Sequence, residues 1–98
     1  MRGQIRERVA KIIDSFDVLK IILDDKAICY DDRIVIFDPP FEIRILKGEE
    51  IIIFSFGDED VAILSESKCW IKEGFEDIVE EWVTALTSLG FKRYILKK

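Results

Sequence analysis

The residues able to do chemistry in this chain are mostly carboxylates, and they recur in runs: Asp24-Asp25, Asp31-Asp32, Glu49-Glu50, Asp58-Glu59-Asp60 and Glu80-Glu81. Carboxylates brought close in space bind magnesium or calcium, or split their pKa values so that one serves as acid and the other as base. Runs of neighbours do this poorly. Adjacent residues on a strand point to opposite faces, and nearly all of these runs fall in expected turns or on a helix surface. The run from Asp58 also lacks the alternating aspartates and glycine of a calcium loop. Solvated turns are the plain alternative, and no metal ligand is assigned.

Other catalytic groups are sparse. The chain has no histidine, which removes Ser-His-Asp and Cys-His machinery, imidazole proton shuttling and most zinc sites. The five glycines (Gly3, Gly48, Gly57, Gly74 and Gly90) are isolated, so no phosphate-cradling loop is present. Lys20, Lys72 and Tyr30 are possible bases or nucleophiles, but no spacing singles them out. Cys29 and Cys69 lie 40 residues apart without CxxC spacing. Two reduced cysteines or, in a hyperthermophile, a disulfide both remain open. The expectation is a non-enzymatic protein without a cofactor; the alternative is a small carboxylate-dependent metal-binding protein or enzyme.

Charge distribution is more informative. The 98 residues carry a formal net charge of -5, distributed as basic ends around an acidic middle. Residues 58–81 hold nine acids against Lys68 and Lys72. Those acids are Asp58, Glu59, Asp60, Glu66, Glu73, Glu76, Asp77, Glu80 and Glu81, the candidate docking face for a basic protein. Solubility and compensation of a helix dipole are the alternative uses. Nucleic-acid binding needs an excess of positive charge on one face and is not expected. No apolar run is long enough to span a membrane, and the polar start Met1-Arg2-Gly3-Gln4 lacks a signal-peptide core, so a cytoplasmic protein is expected. Missing asparagine, a single glutamine and abundant Glu, Lys and Ile follow the compositional trend of hyperthermophile proteins.

The elements that must position these groups follow from periodicity. Ile5, Val9, Ile12, Ile13 and Phe16 predict an amphipathic helix over Arg2–Phe16. Val18–Leu23 reads as a β-rich run, followed by strands at Ala27–Tyr30 and Arg33–Phe37 around a tight Asp31-Asp32 turn. Asp38-Pro39-Pro40 interrupts the ladder. Phe41–Leu46 alternates apolar with Glu42 and Arg44, Ile51–Phe56 has an unbroken apolar start, and Val61–Leu64 and Cys69–Ile71 are shorter strands. Phe75–Leu89 is the second helix, with Gly90 at its C-terminal cap and a last strand at Phe91–Leu96. The order α-β-β-β-β-β-(β)-α-β describes one α+β domain over residues 1–98, with a mainly antiparallel sheet of five to seven strands.

That architecture leaves a covering problem. Apolar residues make up 49% of the chain, two helices cover one face of a sheet, and Ile34–Phe37 and Ile51–Phe54 call for cover on both. A second copy of the chain is the expected cover, giving an intertwined homodimer with strands shared or exchanged. A compact monomer with its central strands between helix and loop is the alternative. Ile51, Ile53 and Trp70 are the candidate interface anchors, although a core position is the leading reading for Trp70; Trp82, on the helix stripe, is assigned to the core.

In size, acidity, missing amides and isoleucine-rich strands such as Ile51-Ile52-Ile53-Phe54, the chain resembles small acidic orphan proteins of hyperthermophilic archaea. The resemblance contains no motif, so it assigns no functional residue. It implies an interleaved α+β homodimer and, as function, the binding of a basic protein.

Overall fold

In a computed structural model, residues 2–23, 25 and 27–88 are described. They form helices α1 (Arg2–Asp14) and α2 (Phe16–Leu23), strands β1 (Ala27–Cys29), β2 (Arg33–Asp38), β3 (Phe41–Leu46), β4 (Ile51–Phe56), β5 (Glu59–Ser65) and β6 (Cys69–Ile71), and helix α3 (Glu76–Thr87). The α+β class and the antiparallel sheet agree with the sequence. The expected Gly90 cap and the strand at Phe91–Leu96 lie outside the described residues.

The strands form a single six-stranded meander in the order β1-β2-β3-β4-β5-β6, every neighbour antiparallel. Alternation decides what each face carries. Cys29, Ile34, Ile45, Ile52, Leu64 and Cys69 line up in one row across all six strands on the inner face. Ala27, Ile36, Ile43, Phe54, Ala62 and Ile71 form the next. These rows share one core with Ile5, Val9 and Ile12 of α1, Leu19 and Leu23 of α2, and Val79, Trp82, Val83 and Leu86 of α3. Trp82, 1% exposed, is the largest fully buried side chain.

Val18–Leu23 is a helix, contrary to the expected strand. Phe16, Leu19 and Leu23 are its buried residues, a spacing that repeats once per helical turn, while Ile21 is 79% exposed. The β-branched residues suggested a strand, but packing one stripe against the core overrides that weak preference. The expected first helix, Arg2–Phe16, is correspondingly shorter. It breaks at Ser15, whose N–H donates to Lys11 O and Ile12 O, and whose carbonyl accepts from Leu19 N to start α2.

The turns follow local chemistry. Tyr30 N donates to Arg33 O at 2.8 Å around Asp31-Asp32. Asp38-Pro39-Pro40-Phe41 forms the β2–β3 turn, so the prolines bend the ladder without ending it. Phe56 pairs with Glu59 around Gly57-Asp58, so Glu59 and Asp60 belong to β5 and not to the expected turn. Gly57 has φ +63°, where a Cβ crowds the following carbonyl. Gly57→Ala is expected to destabilise the fold by about 1–2 kcal/mol, read as a lower melting temperature.

No element among the described residues covers the outer face. Its central row is Ile28, Val35, Arg44, Ile53, Ile63 and Trp70. Trp70 is 42% exposed and Phe37, on the same face, 64%. Trp70 is therefore not a core residue, and Ile51 and Ile53 are half-buried, not enclosed on both sides.

Candidate functional site

A concentration of acidic residues lies at the end of the sheet where β2 turns into β3 and β4 into β5. Hairpin register brings Phe41 opposite Phe56 there. The chain leaving β6 adds Phe75 just before α3. Phe41 and Phe56 meet edge to face, with centroids 5.0 Å apart. Phe75 stands 5.5 Å from Phe56 and 6.2 Å from Phe41. Phe41 and Phe75 pack partly against the core, while Phe56 is exposed.

Acids surround this cluster because the same turns and helix end supply them. Asp38 pairs with Phe41 in the β2–β3 ladder. Asp58 follows Gly57 at the hairpin tip, and Glu59 pairs with Phe56. Glu73 and Glu76 flank Gly74-Phe75. Glu76 Oε1 accepts from Gly74 N at 3.0 Å, which braces the entry to α3. Among the described residues, Lys72 is a cation of this end and forms an ion pair with Glu59. Asp77, Glu80 and Glu81 continue the acidic surface along α3, lining a shallow depression with Thr84.

Part of this acid serves the helix itself. Phe75 at the N-terminal cap makes no side-chain capping bond, and Glu76 and Asp77 occupy the first turn. Negative charge there stabilises the positive end of the helix dipole.

Two of the nine acids proposed from sequence lie elsewhere. Asp60 turns onto the outer face of the sheet, where its Oδ1 accepts from Arg44 Nη2 at 3.1 Å and from Ser55 Oγ at 2.7 Å. Arg44 Nη2 also donates to Ser55 Oγ at 3.2 Å, and its Nε lies 3.6 Å from Glu42 Oε2. Glu66 follows the far end of β5, roughly 20 Å from Glu59 by strand rise. There it lines a separate cleft with Glu50, Asp14, Val9, Ala10 and Ile13.

Among the described residues, no group of three or more carboxylates or cysteines is arranged to hold a metal ion. Cys29 and Cys69 are not joined by a disulfide and occupy opposite edges of the same row. Five strand spacings separate them by roughly 24 Å, far beyond the reach of a disulfide, about 7 Å between Cα atoms. Oxidation of the folded monomer, followed by peptide mapping, is expected to yield no intramolecular Cys29–Cys69 link. A linked peptide in the monomer fraction would contradict this placement.

Neither the phenylalanine cluster nor the Arg44 network was assigned from sequence. Both are encoded by hairpin register: counting outward from Lys47-Gly48-Glu49-Glu50 pairs Phe41 with Phe56 and Glu42 with Ser55. No helix among the described residues is long and apolar enough to cross a membrane.

Fold and site together define an α+β domain with an antiparallel sheet covered by helices on one face, a second face that no described element covers, and an acidic aromatic end. Residues 1–98 match the Archaeoglobi AF1636 family, and the chain belongs to it. It is 30% identical over 96 residues to an uncharacterized protein of Archaeoglobus fulgidus, covering 91% of this chain and 95% of that relative. No solved structure matches.

Proposed function

We propose that this chain is a non-enzymatic cytoplasmic protein-binding module that acts as a homodimer and docks a basic protein on its acidic end. The observation that carries the reading is the Phe41–Phe56–Phe75 cluster set among Asp58, Glu59, Glu73 and Glu76. Lysine and arginine side chains suit such a surface on two counts. Their charge is attracted by the carboxylates, and their cationic groups stack favourably over phenyl faces. Among the described residues, Lys72 offsets only part of the negative charge at this end. Duplication in a dimer doubles the long-range field that steers a basic partner at low salt.

The experiment compares capture from the native host's lysate by the wild-type chain and by a charge-reversed variant. The wild-type chain is expected to retain one basic protein in near-stoichiometric yield and release it in a salt step. A variant with Asp58, Glu73, Glu76 and Glu80 changed to lysine is expected to retain none. Equal retention by both would overturn the reading.

A further inference from the structure

We infer that the outer face of the sheet, which no described element covers, is the homodimer interface, closed by the same face of a second copy in a two-sheet sandwich. This rests on the homodimer half of the reading above and adds the surface that makes it.

Three observations select a second copy as the occupant. The first is charge. The strand side chains on this face include two cations, Arg33 and Arg44, and two anions, Glu42 and Asp60. They cancel, on a chain whose net charge is -5. A basic partner therefore gains little here, whereas two acidic copies can meet here without mutual repulsion. Arg44 is already tied to Asp60, Ser55 and Glu42 within its own chain, so its charge does not require an opposite charge from the facing copy.

The second is area. Four strands of six or seven residues and two of three, at about 3.3 Å rise and about 4.8 Å spacing, make a face of roughly 490 Å². Pairing two such faces covers on the order of 1,000 Å² in projection, and more as accessible surface. That reaches the range of a specific interface, about 1,200–2,000 Å² in total. Its central row sets Val35, Ile53 and Ile63 around the internally paired Arg44, with Trp70 at the β6 edge. Tryptophan is a frequent anchor of binding energy.

The third is the edges. Strands β1 and β6 are three residues long, which limits growth of the sheet edge to edge. Each of the six strands already pairs within its own chain, so closure needs stacked faces and no exchanged strand.

Sedimentation equilibrium of the full chain tests this, using Ile63→Lys near the centre of the face and Phe37→Glu at its rim. The wild-type chain is expected at twice 11.5 kDa in the micromolar range. Ile63→Lys is expected to weaken association by roughly 100-fold or more, because a lysine charge would be stranded in an apolar interface. Phe37 is largely exposed in the single chain, so Phe37→Glu keeps the test valid even if Ile63→Lys fails to fold; it is expected to weaken association by about 10-fold. Unchanged far-UV circular dichroism identifies the variants that remain folded. A wild-type chain that stays monomeric at about 100 μM would overturn both this inference and the homodimer. A dimer that both folded variants leave intact would overturn the interface alone. Docking of a basic protein is tested separately at the acidic end.

Discussion

Trp82→Ala is expected to lower the stability of the fold by about 3–5 kcal/mol, the range for deleting a large buried aromatic. Trp82 is 1% exposed and sits among Val79, Val83 and Leu86 on the inner face of α3. Its removal loses the transfer energy of the indole and leaves a cavity that a helix packed against a sheet can only partly close. Domains of this size have roughly 5–15 kcal/mol in total, so the variant gives up about a fifth or more. The melting temperature is expected to fall by roughly 15–30 °C. Trp70→Ala is the informative control. With Trp70 42% exposed on the outer face, the change is expected to cost about 1 kcal/mol or less in dilute, monomeric protein. Equal losses for the two variants in denaturant titrations would contradict the placement of the two tryptophans.

Reversal of Asp58, Glu73, Glu76 and Glu80 to lysine is expected to weaken binding of a captured basic partner by roughly 100- to 1,000-fold at low salt. Each exposed charge pair contributes about 0.5–1 kcal/mol. Four reversals both remove attraction and introduce repulsion, so about 3–4 kcal/mol is at stake, at about 1.4 kcal/mol per tenfold change. The difference between variant and wild type is expected to shrink as salt rises, because exposed charges are screened over about 8–10 Å at physiological ionic strength. Lysine at Glu76 also opposes the dipole of α3, at a cost of about 0.3–1 kcal/mol, which a melting curve would register separately. Glu66→Lys is the matching control, since Glu66 lies at the other end of β5. An equal loss of binding in Glu66→Lys would point to overall charge and away from the acidic aromatic end. Isothermal titration with the purified partner measures both.

Much of the fold is written in local sequence. Alternation in Phe41–Leu46 specified a strand with one polar face, and the stripe Val79, Trp82, Val83 and Leu86 specified a buried helix with Trp82 in the core. Turn residues at Asp31-Asp32 and Gly57-Asp58 placed the hairpins. Val18–Leu23 could not be decided in the same way. Its composition favours a strand and its spacing a helix, and the contact of Phe16, Leu19 and Leu23 with the core made the choice.

The candidate site was legible as composition and not as geometry. Nine acids in residues 58–81 were visible as a linear run, but the chain reverses direction several times within and around that run. Those reversals gather Asp58, Glu59, Glu73 and Glu76 around the phenylalanines, send Glu66 to the far end, and turn Asp60 toward Arg44. Sequence by itself determined most element types (Val18–Leu23 excepted), the alternation of Phe41–Leu46 and the acidity of residues 58–81, because these depend on periodicity and residue type along a few turns of chain. Only the tertiary structure decided which acids share a surface, that Cys29 and Cys69 stand at opposite edges, and that Trp70 lies on a face no described element covers. Those properties depend on strand order and on where the helices pack, which arise from contacts between residues distant in the chain.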